Sequence, residues 1–240
     1  MEPLLFVRCD PVETFGSAPR AAADAGIAVQ IWESIDPDAD RPDLSACSGV
    51  VIFGSTFNVE HADEQPFIKE VGDVSREVLE RGIPLLGLCF GAQALVWSLG
   101  TPVTKAPARE IGFEPIHRER GASEDPVLGH YRDGDMVFHW HMDAFDLPEG
   151  AELLATGDVV RNQAIRVGET AWATQFHAEV DAAEAEYWVS VASAQEDLEA
   201  VWGKSPERIR HEMTEYMADH ERRGRETFRR FVDVCRSTWG

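Results

Sequence analysis

Cysteine is scarce in this chain. Its four residues, Cys9, Cys47, Cys89 and Cys235, fall at irregular spacings with no C-x-x-C pair. That excludes a dense disulfide framework and the usual cysteine zinc sites. Lysine is scarcer still, with only Lys69, Lys105 and Lys204, so the basic side chains are almost all arginine. No apolar run approaches the roughly 20 residues that a membrane span requires. Met1–Arg8 shows no basic stretch leading into a long apolar one, so no secretory signal is visible and a cytoplasmic location is expected. A G-x-x-x-x-G-K-[ST] phosphate loop is also missing. The 43 acidic residues outnumber the 22 basic ones, for a net charge of -21. Such a surface repels nucleic-acid phosphates and anionic membranes, and neither is an expected partner.

What is present is a regular alternation. Short apolar runs at Leu4–Val7, Ala28–Ile31, Val50–Phe53 and Pro84–Leu88 predict buried strands. Helical patterns lie between and after them, over Ser17–Ala25, Glu64–Arg81 and Ala92–Leu99, the last stopping at Gly100. Strands that are apolar throughout and alternate with helices imply a parallel α/β sheet covered on both faces. After Gly100 the pattern changes to strands with short turns, at Thr101–Thr104, Ile111–Ile116, Met136–Trp140, Leu153–Thr156, Gln163–Val167 and Thr170–Gln175. Glu119–His130 is expected to be an exposed acidic loop. From Ala182 to Trp239 the pattern is helical, broken near Gly203–Pro206, where Ser205 is placed to cap a helix beginning at Pro206.

The most informative stretch is Gly87-Leu88-Cys89-Phe90-Gly91-Ala92-Gln93. A buried strand runs through G-x-C-x-G straight into a helix, the cysteine form of a nucleophile elbow. The helix N-terminus favours a thiolate there, because its free N–H groups and dipole stabilise negative charge. A nucleophilic cysteine needs a base and a group to orient that base. His177 ends an apolar strand, and Glu179 stands two residues on, within reach of the imidazole.

At these residues the chain resembles the class I, triad-type glutamine amidotransferases. Gly87–Gln93 is similar to the family's G-x-C-x-G-x-Q motif and Gln175-Phe176-His177-Ala178-Glu179 to its Q-F-H-P-E motif. Trp140-His141-Met142-Asp143 resembles the W-H-x-D segment, and Asn162–Gly168 the strand before the histidine. Cys89 and His177 stand 88 residues apart, in the family's order. The resemblance implies one flavodoxin-like, three-layer α/β domain over residues 1–240 with a mostly parallel sheet, residues 181–240 forming a helical extension. It points to a stand-alone member like the glutaminase part of a GMP synthase.

The resemblance also implies a mechanism and assigns residues to it. Cys89 attacks the γ-carbonyl of glutamine, His177 transfers protons, Glu179 orients His177, and a thioester releases glutamate. The Phe90 amide and the Gly54-Ser55-Thr56 loop would form the oxyanion hole. Gln93, with the backbone around Trp140 and His141, would hold the amino-acid end. No cofactor or metal is expected. Two departures stand out: Ala178 for the motif's proline, and Ser55 where the family has a second glycine. A serine enters a glycine-only backbone angle at a cost, so the loop is expected to be mobile or turned away, and Ser55→Gly to raise activity.

Three functional readings follow. The first is a glutaminase that passes ammonia to a separate synthetase. The second is a free-standing γ-glutamyl peptidase or γ-glutamyl-amine hydrolase. The third is a catalytically silent regulatory module, against which the retention of Cys89, His177 and Glu179 together argues.

Overall fold

The computed structural model describes residues 2–238, so Trp239 at the end of the predicted helical region lies outside the described residues. The first half alternates as expected: β1 (Leu4–Arg8), α1 (Ala18–Asp24), β2 (Val29–Glu33), β3 (Gly49–Ile52), α2 (Pro66–Glu80), β4 (Leu85–Leu88) and α3 (Phe90–Ser98). β1, β3 and β4 are apolar on both sides because both faces are covered. β2 lies at the sheet edge with Ala28, Gln30 and Ile31 exposed, so Ala28–Ile31 is not the buried strand that its apolar run predicts. Leu4 and Phe6 join one core layer with Ala18, Ala22, Phe228 and Phe231, whereas Leu5 and Val7 join the other with Val71, Val74 and Leu95. Each buried apolar side chain of this kind contributes about 1.5–3 kcal/mol.

The second half contributes β5 (Val103–Arg118), β6 (Asp135–Phe145), β7 (Glu152–Gly157), β8 (Ala164–Val167) and β9 (Ala171–Thr174). All nine strands form one sheet in the order β2-β1-β3-β4-β9-β8-β7-β5-β6. Pairing is parallel from β2 to β9 and antiparallel from β9 to β6. Thr101–Thr104 and Ile111–Ile116 belong to a single strand rather than two. A register shift between Lys105 and Glu110 carries β5 through a polar stretch that hides its continuity from the hydrophobic pattern.

Residues 119–130 differ from the exposed acidic loop that their composition suggests. Ala122, Asp125, Val127 and Leu128 are buried. The Asp125 carboxylate accepts hydrogen bonds from the Val127 and Leu128 amides and from Trp172 Nε1. Those donors satisfy a carboxylate that water would otherwise hold.

The C-terminal region forms α4 (Ala182–Gln195), α5 (Leu198–Trp202) and α6 (Pro206–Thr238). Asp181 and Asp197 cap α4 and α5, Gly203 ends α5 at φ 79°, and Ser205 Oγ accepts from Arg208 N as expected. Val189, Leu198, Ile209 and Met217 pack against Ile111, Phe113 and Phe138 on the β5–β6 hairpin. Lys204 fastens the start of α6 to that hairpin, its Nζ reaching Phe113 O, Glu114 Oε1 and Glu212 Oε2. Among the described residues, no helix is long and apolar enough to cross a membrane.

Candidate active site

The turn from β4 into α3 explains both glycines of the G-x-C-x-G stretch. A Cβ on Gly87 would stand 2.7 Å from Gly91 O, and one on Gly91 would stand 2.1 Å from Ile52 O. Neither approach leaves room for a side chain. Between them Cys89 is held at φ 48° and ψ -105°, a conformation that a non-glycine residue adopts only at a cost of about 1–3 kcal/mol. Its amide donates to Thr174 O at 2.8 Å, locking the elbow onto the end of β9.

Parallel pairing of β4 with β9 sets Leu88 beside Thr174, so the segments that follow, with Cys89 and His177, emerge at the same edge of the sheet. His177 is buried, its amide donates to Phe138 O at 2.9 Å, and its Nδ1 lies 2.7 Å from Glu179 Oε1. With Nδ1 committed to Glu179, Nε2 is left to serve the Cys89 side chain, whose charge acts on the ring. Burial alone would push the His177 pKa down. The negative charges of Cys89 and Glu179, with the hydrogen bond to Glu179, outweigh it and hold the pKa well above the ordinary histidine value.

Behind Glu179 lie two further buried carboxylates that the sequence motifs did not flag. Glu13 Oε1 accepts from Phe15 N, and Glu184 Oε1 accepts from the amide and hydroxyl of Thr14. Burial first, and then the other carboxylates, raise the pKa of both, Glu13 strongly. A carboxyl group kept protonated there relieves repulsion around Glu179. Ala178, at the proline position, has its carbonyl against α6, so close that a Cβ on Gly224 would stand 2.0 Å away. The contact fixes this backbone without proline.

The Gly54–Thr56 loop departs from the expectation. Gly54 lies against the base, since a Cβ there would stand 2.9 Å from His177 Cε1. Ser55 does not occupy a glycine-only angle, because Phe15 and Cys89 are the described non-glycine residues with positive φ. Its hydroxyl donates to Cys9 O at 2.7 Å and accepts from Phe57 N at 3.0 Å. Thr56 donates through both amide and hydroxyl to Asp10 Oδ2. The serine thus ties the loop down instead of straining it. Phe90, the first residue of α3, has no helical carbonyl to receive its amide.

Gln93 also departs from its expected role. Both of its amide hydrogens are taken, by Asp143 O and Gln175 Oε1, and Gln175 Nε2 in turn reaches Cys89 Sγ at 3.7 Å. Gln93 therefore steadies Gln175 instead of presenting free donors. Trp140 O faces Cys89 Sγ at 3.9 Å. The His141 ring points elsewhere, with Nδ1 on Asp143 O and Nε2 on Glu110 Oε2 at 3.0 Å.

His139 alternates onto the same face as His141, and Glu110 pairs directly across from His141 in the β5–β6 ladder. These three side chains bring one ligand atom each to within 4.8 Å of one another, the spacing of a metal shell among the described residues. Gln163 Nε2 also donates to Glu110 Oε2, so the cluster is already bonded as a polar network. Cysteine spacing carried no sign of this group, which strand pairing assembles.

Three half-buried indoles run outward from His177. Trp188 of α4 sits edge-on to the His177 ring with centroids 5.0 Å apart. Trp140 contacts Trp188 at 6.1 Å and Trp202 at 5.9 Å. They roof a site in which Cys89 and His177 are 5% and 3% exposed.

The family model for class-I glutamine amidotransferase matches residues 17–189. A glutamine-hydrolysing GMP synthase of Porphyromonas gingivalis is 36% identical over 140 residues, 58% of this chain and 26% of that protein. The chain thus spans about a quarter of the length of that relative. A putative glutamine amidotransferase-like protein, YfeJ, of Salmonella typhimurium is 26% identical over 95% of both chains. Among solved structures, a glutamine amidotransferase from Thermotoga maritima superposes with a TM-score of 0.84 at 24% identity, covering 98% of this chain and 97% of the other. One from Methylobacillus flagellatus gives 0.87 at 21%, covering 97% and 95%. With the family model covering the strands, the elbow and the histidine strand, the chain belongs to the class-I glutamine amidotransferase family.

Proposed function

We propose that the chain hydrolyses the C–N bond of a γ-glutamyl amide, glutamine being the simplest, through a thioester on Cys89. The observation that carries this reading is the linked contact series from Cys89 through His177 to Glu179 at the edge where β4 and β9 end. His177 takes the thiol proton as sulfur bonds to the γ-carbonyl carbon, then gives it to the departing amine as the C–N bond breaks. A water molecule, losing a proton to His177, attacks the thioester carbon and restores the thiol with release of glutamate. Glu179 holds the ring in the tautomer these transfers need. The oxyanion is assigned to the Phe90 and Ser55 amides, the first supported by its free helix-terminal N–H.

For the fate of the amine, the match to a glutamine-hydrolysing GMP synthase favours ammonia delivered to a separate synthetase. End-to-end similarity to the YfeJ protein favours a second reading, a free-standing γ-glutamyl-amine hydrolase or peptidase that needs no partner. Both readings use the same chemistry. Brief iodoacetamide treatment with mass spectrometry, paired with glutamate release from γ-glutamyl substrates, tests that chemistry. Cys89 is expected to be labelled first and its labelling to stop glutamate release. Labelling of Cys9, Cys47 or Cys235 ahead of Cys89 would remove its basis.

A further inference from the structure

Tryptophans serve two different purposes in this molecule. Trp172 is fully buried under the sheet, with its Nε1 bonded to Asp125, as a structural indole should be. Trp140, Trp188 and Trp202 remain half exposed and come from three separate elements; Trp188 stands edge-on to His177, and Trp140 joins it edge to face to Trp202. All three pack with part of their surface on the core beneath the C-terminal helices, and the part left over is what an apolar leaving group could cover, which ammonia could not.

The orientation of the triad says which part of a substrate the rings would meet. His177 Nδ1 is held by Glu179, so the proton delivered to the leaving nitrogen comes from Nε2. Trp188 stands against that imidazole, and the carbonyl of Trp140 faces Cys89 Sγ. A group attached to the leaving nitrogen therefore emerges among the indoles. Trp202 completes the far side and is itself fixed: its Nε1 donates to Glu196 Oε1 at 2.8 Å, and the Arg109 guanidinium lies 5.2 Å from its ring.

We infer that Trp140, Trp188 and Trp202 form a leaving-group subsite for a planar apolar substituent, so that γ-glutamyl amides of arylalkyl amines are better substrates than glutamine. This rests on the γ-glutamyl hydrolase reading above and specifies its substrate class. Trp202 contributes by binding alone and takes no part in bond making.

The test compares kcat/KM for γ-glutamyl benzylamide, γ-glutamyl ethylamide and glutamine on the purified full chain. Both amides release primary alkylamines, so the comparison isolates the ring. Benzylamide is expected to exceed ethylamide at least tenfold, and Trp202→Ala to reduce that ratio to about threefold or less, with Trp202→Phe keeping most of it. Equal kcat/KM for the two amides in the native chain, or a Trp202→Ala effect that lowers both by the same factor, overturns the aromatic subsite while leaving the hydrolase intact. Failure to cleave any of the three removes both. The native ratio needs no variant, so misfolding of Trp202→Ala does not shelter the inference.

Discussion

The parallel and antiparallel parts of the sheet serve the site in different ways. From β2 to β9, strands buried on both faces bring Cys89 and His177 to one edge through backbone pairing, and little there can move. From β8 to β6 the sheet is antiparallel, its last strand lends the site Phe138 O and Trp140 O, and Ile111, Phe113 and Phe138 carry the C-terminal helices. One half fixes the reactive atoms; the other, with α4 and α5, decides what surrounds them. Rigidity of the first allows variety in the second.

The contrast is broken most severely at the nucleophile. Cys89→Ala is expected to lower γ-glutamyl hydrolysis by about 10⁴-fold or more, measured as glutamate release, because a triad acts as a unit. A residual rate near that of the native chain would mean that the parallel half holds no nucleophile. Next comes the elbow itself. Gly91→Ala places a Cβ where Ile52 O stands, and a loss of about 3 kcal/mol in urea unfolding is expected. Little or no loss would show that β3 and α3 can separate, contrary to the rigidity described here.

The helical side gives a pH-dependent test. His220 of α6 is fully buried, neither ring nitrogen makes a hydrogen bond, and the nearby backbone of His177 and Val180 lies outside bonding geometry. Burial, and then Arg223, push its pKa down to about 3 from the ordinary 6.5. Between those values the unfolded chain binds the proton and the folded chain does not, so this group's stabilisation is complete above pH 6.5 and is lost as pH falls toward 3. Each pH unit within that window costs about 1.4 kcal/mol. His220→Leu should flatten that part of the stability profile; an unchanged slope in thermal or urea melts between pH 6 and 4 (about two units within the window) would refute it. The smallest effect belongs to Ser55→Gly. The structure reverses the expectation of a gain, because the change removes two hydrogen bonds, each worth about 1 kcal/mol. Reduced kcat/KM is expected, and an increase would restore the idea of a strained serine.

Legibility followed the range of the interactions. Cys89 between two glycines, and His177 two residues from Glu179, are local patterns, and the parallel sheet that joins them shows in the apolar runs. Glu13 and Glu184 escaped notice because they converge from segments 171 residues apart in numbering, as 184 − 13 shows. His139 and His141 share a face of β6 by alternation, but Glu110 becomes their neighbour only through the β5–β6 register. Ser55 was misjudged because a missing glycine is visible in a sequence and the Cys9 carbonyl that compensates for it is not. Asp125 looked solvated for the same reason: its donors lie partly on β9.

Lys204 pins the junction of α5 and α6 like a rivet through the hairpin beneath it. Its ammonium ties the first turn of α6 to β5 through Phe113, Glu114 and Glu212, and Gly203 immediately before it sits at φ 79°. On the other side, Arg109 Nη1 donates to Val201 O while its guanidinium lies against the Trp202 ring, and Leu198 is buried, so α5 is held to β5 along its short length and not only at its end.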